Sequence, residues 1–434
     1  MNEQIYNAYK RSAGVCTDTR KLKENQLFFA LSGPNFNGND FIEKALREGC
    51  RLAIADEERA EFEGNDRVLV VEDSLIALQL LANAHRRKLK IPIIALTGSN
   101  GKTTTKELMH AALSQQYETY ATKGNLNNHI GVPLSLLEIN SNHEIAIIEM
   151  GANHQLEIAQ LCTIAEPEFG LITNIGMAHL EGFDGEEGVY LGKKELFDHI
   201  IENEGKLFLN LDDPKILRAA GENAGTTYGQ SEDCVYCGEP SLVDDRLTVS
   251  WKRSDEEENN VIHTQLSGLY NFSNVMAAIA VARYFGIDSK KINRAIASYT
   301  PDNHRSQIEK SERGNTLIID CYNANPSSMN AAIENLGKLT EGKTIAILGD
   351  MFELGDQTEI AHNTTVKQLN KHGIAQSILI GNAFSSTSEA HPNSVKFNTT
   401  EEAAGYLKDN TPQNATILIK GSRSMKLEQL LELL

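Results

Sequence analysis

The sequence predicts an α/β protein of three domains, and three observations carry that expectation. Short, nearly uniform apolar runs alternate with helical patterns from about Ile91, which implies a parallel sheet covered on both faces. The alternation pauses after Asn210 and restarts near Thr316, which implies a second such sheet. The length, 434 residues, exceeds what one hydrophobic core usually holds.

Taken in order, the first part (1–88) holds strands LFFAL (27–31) and RVLVVE (67–72) and helices near 41–48 and 75–89. A central part (89–300) opens with the strand IPIIAL (91–96), a glycine loop and a helix. EIAIIEM (144–150) is followed by a helix near 156–164, and FGLITNI (169–175) by a helix around 187–203 and the strand GKLFLN (205–210). From Tyr228 to Leu266 the texture changes to short alternating strands, with SDEEENN as a solvated hairpin loop, before NFSNVMAAIAVARYFG forms one well-packed helix. The third part (301–434) carries strands TLIIDCY, TIAILGD, SILIG and ATILIKG with helices between them. No internal repeat or low-complexity tract interrupts this order.

Hydrophobic residues are 41%, charged residues 23% and aromatics 6%, as in an ordinary soluble globular chain. With 59 acidic against 41 basic residues the net charge is -18, and no Lys/Arg block stands out. Such a surface repels nucleic acid and acidic membranes. MNEQIYNAYKRSAG lacks the apolar centre of a signal peptide and no apolar run approaches membrane-spanning length, so a cytoplasmic location without membrane insertion is expected. Six scattered cysteines do not make a disulfide framework, and Cys234-x-x-Cys237 lacks the second ligand pair of a zinc site. Those two read as ordinary thiols.

The chemistry concentrates in TGSNGKTTT (97–105). A glycine-framed loop between a buried strand and a helix presents backbone N–H groups of Gly98, Ser99, Asn100, Gly101 and Lys102 to anionic oxygens. Lys102 reaches terminal phosphates, Thr103 offers a hydroxyl to Mg2+, and Thr104 continues the helix start. Only two residues separate Gly98 from Gly101, which argues against the commonest phosphate-loop NTPases. Glu149 closes one strand and His179 lies beyond another, where ligands bind in open α/β sheets. Taken singly, a strand-end acid and a satisfied loop histidine explain them equally well.

Together the motifs resemble the Mur ligases, and within them the branch that adds D-alanyl-D-alanine. The segments that carry the resemblance are TDTR, TGSNGKTTTKE, GNLNNHIGVPLSLL, IIEMGANHQLEIA, TNIGMAHLEGF, DCYNANPSSM, GDMFELG and KGSRSMKLE, which run from Thr17 to Glu428. The resemblance implies an N-terminal UDP-sugar domain, a central phosphate-loop ATPase domain and a Rossmann-like C-terminal domain that closes over the nucleotide. It also implies a reaction: ATP activates the peptide carboxylate of UDP-N-acetylmuramoyl-tripeptide as an acyl phosphate, and the amine of D-Ala-D-Ala displaces phosphate.

The same resemblance assigns roles. Thr103 and Glu149 look like ligands of one Mg2+, and His179 of a second. A lysine carbamylated by CO2 falls at Lys193 in GKKELFDHI, with Lys194 the competing position. Asn271 and Asn274 match positions near adenine, and Arg305 one that reaches the phosphates. Asp320, Tyr322, Asn323 and Asn325 match residues around the ribose, phosphates and domain interface. Thr17, Asp18, Thr19 and Arg20 resemble the uridine-diphosphate segment, Asn127 and Asn128 a muramoyl-peptide contact, and Lys420, Ser422 and Arg423 a dipeptide contact. Two positions depart from the family: FDG (183–185) replaces an FGS-like turn, and His304 stands where glycine usually precedes the arginine. A monomer that closes around ATP is the expected form. Two other readings stay open at this point, a sibling ligase adding a single amino acid and a nucleotide-driven switch with little use for a second metal site.

Overall fold

The computed structural model describes residues 3–302, 304–339 and 342–434 and arranges them around three sheets. The first has four parallel strands, Val15–Cys16, Leu27–Phe29, Leu52–Ala55 and Val68–Val70, in that order. Alternate side chains face opposite ways. Phe28, Ala53 and Ala55 pack against Ile42 and Ala45 of helix Ile42–Arg47, while Leu27, Phe29, Leu52 and Ile54 join Leu78 and Leu81 of helix Ser74–Arg86.

The central sheet has nine strands. From one edge they run Asn260–Ser267, Arg246–Arg253, Tyr236–Val243, Gly225–Gly229, Lys206–Asn210, Phe169–Ile172, Ile93–Thr97, Ile145–Glu149 and Thr119–Ala121. The first three pair antiparallel and the rest are parallel. The alternating strands between Tyr228 and Leu266 thus extend this sheet, and SDEEENN forms the turn of their last hairpin. Ile93 and Ala95 are buried in the core on one face, and Ile94 and Leu96 in the core on the other. This explains the uninterrupted apolar strands. Helix Phe272–Tyr284, apolar all round, is buried beside helix Lys102–Leu113.

After Ile93–Thr97 the chain builds the sheet in one direction, and after Phe169–Ile172 in the other. A crevice therefore opens at the carboxyl ends of these two neighbours, between the loops TGSNG and TNIG.

The third sheet runs Gln307–Lys310, Thr316–Asp320, Ala415–Lys420, Lys343–Gly349, Gln376–Ile380 and Ser394–Phe397, parallel except for the first. Its helix Pro326–Lys338 begins with a capping box at Asn325 and Ser328 and points its N-terminal end at the central domain. There Asn325 Nδ2 donates to Asn100 Oδ1 (2.7 Å) and Met177 N–H donates to Ser327 Oγ (2.9 Å). The third domain is docked on the glycine loop.

Burial on both faces makes a prediction. Ile93→Ala and Ile94→Ala, made separately, should each lower the stability of the central domain by about 2–5 kcal/mol. Chemical denaturation measures this, and a near-neutral result at either position contradicts a sheet covered on both sides.

Candidate active site

The loop between Thr97 and helix Lys102–Leu113 is gripped from two sides. Gly98 has φ +146° and a Cβ there would lie 2.0 Å from Thr173 Oγ1; Gly101 has φ +79° and a Cβ would lie 2.4 Å from Asn274 Oδ1. Only glycine fits either place. Asn174 holds the loop between them: its carbonyl and side-chain oxygen accept the N–H groups of Ser99 and Asn100 (both 3.0 Å), and its Nδ2 donates to Asn100 O (2.9 Å). The N–H groups of Ser99 and Asn100 are therefore engaged within the protein. Those of the first helical turn, from Lys102 onward, have no intrahelical partner and carry the positive end of the helix dipole.

These residues line a cavity of about 520 Å³ bounded by the central and third domains. Ser99, Asn100, Gly101, Lys102, Thr103 and Thr104 form its floor, with Glu149, His179, Asn127 and Asn128 on the central-domain side. Asn271, Asn274, Arg305, Asp320, Tyr322, Asn323, Asn325 and Lys420 complete the wall. Lys102 folds back on its own loop, Nζ donating to Gly98 O (2.5 Å) and Ser99 O (3.4 Å). Burial pushes its pKa down to about 8, aided by Arg305 and opposed by Glu149. A phosphate chain is the kind of anion that such a lysine lacks.

Glu149 is 2% exposed. Its N–H donates to Thr122 Oγ1 (3.0 Å) and its Oε1 accepts from Asn127 Nδ2 (2.8 Å), while Oε2 is buried with no partner. A buried carboxylate oxygen without a donor has a strong demand for a cation. Gly151 allows the approach, since a Cβ there would meet the Asn127 amide at 2.9 Å. The Asn127 amide is thus occupied in holding Glu149.

The neighbouring lysines separate cleanly. Lys193 is 1% exposed, with Nζ near Ala152 O (3.4 Å) and above the Phe183 ring (5.0 Å). Burial, reinforced by Lys102 and opposed by Glu195 and Glu157, lowers its pKa to about 7. Lys194 instead pairs at the surface with Asp198. His179 lines the cavity with Nδ1 against Glu353 Oε2 of the third domain. Burial holds its pKa below the usual histidine range; Glu353 opposes this and Lys102 and Lys193 add to it.

Other expected residues fall into polar chains. Asn274 accepts from Thr105 Oγ1 (3.1 Å) and donates to Asn271 Oδ1 (2.9 Å), and Asn271 donates to Ser267 O (2.7 Å) and Ser306 Oγ (3.1 Å). Ser306 N–H donates to Asp320 Oδ1 (3.3 Å), whose other oxygen takes Lys420 Nζ (2.6 Å). The Arg305 guanidinium lies 3.9 Å from the Tyr322 ring centre, and that of Arg423 lies 5.6 Å from the same centre. Ser422 is buried and accepts from Phe352 N–H (3.2 Å), and Ser422 and Arg423 lie outside the cavity lining. Thr17, Asp18, Thr19 and Arg20 follow the strand Val15–Cys16, also apart from this cavity. There Asp18 accepts from Arg20 N–H (3.0 Å), Nε (2.9 Å) and Nη2 (2.8 Å). Cys234 and Cys237 are free, buried thiols whose pKa values burial raises.

Sequence reasoning missed Asn174, Thr173, Tyr270, Ser306 and Ser327. The signal for the first two was their place directly after a buried strand. Both departures from the family have a common geometry: Asp184 (φ +58°) and His304 (φ +56°) hold left-handed backbone where the family pattern puts glycine. Left-handed backbone at these two residues carries the steric cost of a side chain.

Gly101→Ala tests the loop. Strain at φ +79° and the collision with Asn274 should weaken ADP binding by about five- to 150-fold, on the order of 1–3 kcal/mol. Unchanged affinity by calorimetry contradicts the described fit.

Comparison with known proteins agrees with this geometry. Family models described as "Mur ligase family, catalytic domain", "Mur ligase middle domain" and "Mur ligase, glutamate ligase domain" match residues 11–86, 96–282 and 304–423. Relatives from Bacillus subtilis (strain 168) and Escherichia coli (strain K12), both named UDP-N-acetylmuramoyl-tripeptide--D-alanyl-D-alanine ligase, are 35% and 32% identical. The first alignment covers 96% of this chain and 92% of the relative, the second 100% and 96%. Among solved structures, MurF from Acinetobacter baumannii superposes with a TM-score of 0.89 at 30% identity, over 99% of this chain and 97% of that one. MurF ligase from Thermotoga maritima in complex with ADP gives 0.86 at 26% identity, over 98% and 97%. This chain belongs to the Mur ligase family.

Proposed function

We propose that the chain is an ATP-dependent ligase that joins D-Ala-D-Ala to the peptide carboxylate of UDP-N-acetylmuramoyl-tripeptide, giving the pentapeptide precursor of peptidoglycan, ADP and phosphate. The observation that carries this reading is one cavity that combines the phosphate loop and Lys102 with an unpartnered Glu149 oxygen, close to a buried Lys193 amine. The names of the Bacillus subtilis and Escherichia coli relatives support the same substrates.

The chemistry follows from the charges. A carboxylate oxygen of the tripeptide attacks the γ-phosphorus, the bond to ADP breaks, and an acyl phosphate results. The D-Ala-D-Ala amine then attacks the acyl carbon; the carbon–oxygen bond to phosphate breaks and the amine loses a proton as the amide forms. Lys102 and Arg305 hold the phosphate oxygens as charge moves toward ADP, since phosphoryl transfer is largely positioning and charge neutralisation. The docked third domain excludes water, which would otherwise hydrolyse the acyl phosphate.

Mg2+ fits the donors present. Thr103 and Glu149 would hold one ion, and His179 with a carbamylated Lys193 a second; bound there, the ions would neutralise phosphate charge. Among the described residues no cluster of three or more His, Cys, Asp or Glu forms a ready-made cage, as suits Mg2+, which draws on substrate phosphates and water. Lys193, neutral above about pH 7, is able to add CO2 and release a proton, which replaces a buried cation by an oxygen-donor anion.

In the same reading residues 1–88 bind the UDP-sugar, with Thr17, Asp18, Thr19 and Arg20 at the uridine diphosphate. Residues 89–300 bind ATP, with Asn271 and Asn274 toward the adenine, and 301–434 close over it through Asp320, Tyr322, Asn323 and Asn325. Asn128 faces the peptide, and Lys420, Ser422 and Arg423 support the dipeptide side. The enzyme acts as a cytoplasmic monomer; among the described residues no helix is long and apolar enough to cross a membrane.

ADP release should require both the UDP-tripeptide and D-Ala-D-Ala, and turnover indifferent to D-Ala-D-Ala contradicts the proposed acceptor. Lys193→Ala should lose about a hundredfold or more in turnover, partly restored by short carboxylates. Lys194→Ala should stay within about twofold, since an exposed pair contributes little. Protonation below about pH 7 removes the amine that CO2 requires. In 13C-bicarbonate a carbamate NMR signal should therefore weaken, together with activity, as pH falls through about 7. A signal that persists in Lys193→Ala places the carbamate elsewhere.

A further inference from the structure

The motif GDMFELG is left without a role by the chemistry above, yet it delivers a side chain to the site. It follows the third-domain strand Lys343–Gly349 and is anchored at its start: Asp350 accepts from Ala383 N–H (2.9 Å) and Phe384 N–H (3.0 Å), and Phe352 N–H donates to Ser422 Oγ (3.2 Å). From that base Glu353 crosses to the central domain. Its carbonyl accepts from Glu181 N–H (3.3 Å), and its Oε2 lies against His179 Nδ1, in ion-pair contact but not aligned for a hydrogen bond, so that the buried Nδ1 is without a hydrogen-bond partner.

The contact is weak in itself, yet it is made at strained backbone. Glu353 is 57% exposed, so the pair adds little stability. Both partners nevertheless hold left-handed backbone, φ +53° at His179 and +62° at Glu353, which L side chains disfavour. Local strain of this kind collects at working sites.

We propose that Glu353 is a positioning residue for His179: its carboxylate, already against the unpartnered Nδ1, turns to accept the Nδ1–H of the neutral ring, leaving the Nε2 lone pair as the ligand atom, and does so only while the third domain is docked. The same event that closes the cavity thereby sets the histidine tautomer. The inference rests on the reading of His179 as a cation ligand.

The test uses full-length Glu353→Ala and Glu353→Gln, with His179→Ala as reference. Glu353→Ala should lower kcat about 10–100-fold with the KM for ATP within about twofold, and raise the Mg2+ concentration needed for half-maximal rate. Glu353→Gln should recover most of this, because its amide oxygen still accepts the N–H. In metal-free protein carrying 15N-histidine, the signal missing from His179→Ala should report the Nδ1–H tautomer in the parent and in Glu353→Gln, and a mixture in Glu353→Ala. Parental kcat and Mg2+ dependence in Glu353→Ala, or one tautomer in all three proteins, overturns the positioning role and leaves the ligand reading standing. A fully active His179→Ala overturns both.

Discussion

The close approach of three chain segments at the glycine loop is the constraint on which the rest of the site depends. Thr173 and Asn174 come from one strand end, Asn274 from a helix far along the chain, and Asn100 reaches Asn325 of the third domain. The Thr173 and Asn274 contacts need backbone where a side chain would stand, so Gly98 and Gly101 are the price of bringing helix Lys102–Leu113 to the mouth of the crevice. Once the loop is fixed, register places Glu149 opposite Leu96. Glu149 ends one strand adjacent to Ile93–Thr97, and His179 lies in the loop that follows the other.

Charge then gives the cavity its chemistry. The chain carries a net -18, yet Lys102, Lys193 and Arg305 are drawn together beneath a docked domain. Burial and mutual repulsion depress both lysines, and Glu149 answers with a single free oxygen. Such an arrangement is incomplete by itself. Polyphosphate, divalent cations and, on the proposed reading, a carbamate each remove part of the imbalance, which accounts for a site that assembles around its substrates.

Much of this was legible in the sequence for a physical reason. Strands covered on both faces read as unbroken apolar runs, and the residues at their ends fall at the crevice; order alone thus placed Lys102, Glu149 and His179 there, while the roles of Glu149 and His179 came only from the family resemblance. The two- to four-residue strands Val15–Cys16, Thr119–Ala121, Gln307–Lys310 and Ser394–Phe397 are too short to show a period. Asn174 and Glu353 look like common turn residues until the fold brings them to Asn100 and His179. Asn127 was expected to face substrate, but its amide is turned to Glu149, a pairing that joins residues 22 apart and leaves no mark on local pattern. Asp184 and His304 could be seen as departures from glycine, whereas only their dihedral angles show that both hold left-handed backbone.

The central claim is that the phosphate loop serves to turn a carboxylate into an acyl phosphate, whose phosphate is the leaving group. Turnover with UDP-tripeptide carrying 18O in the reacting carboxylate measures this directly by mass spectrometry of the products. Transfer of one 18O to the released phosphate is the predicted result. Phosphate free of 18O, with the label retained in the peptide or lost to water, would contradict the account.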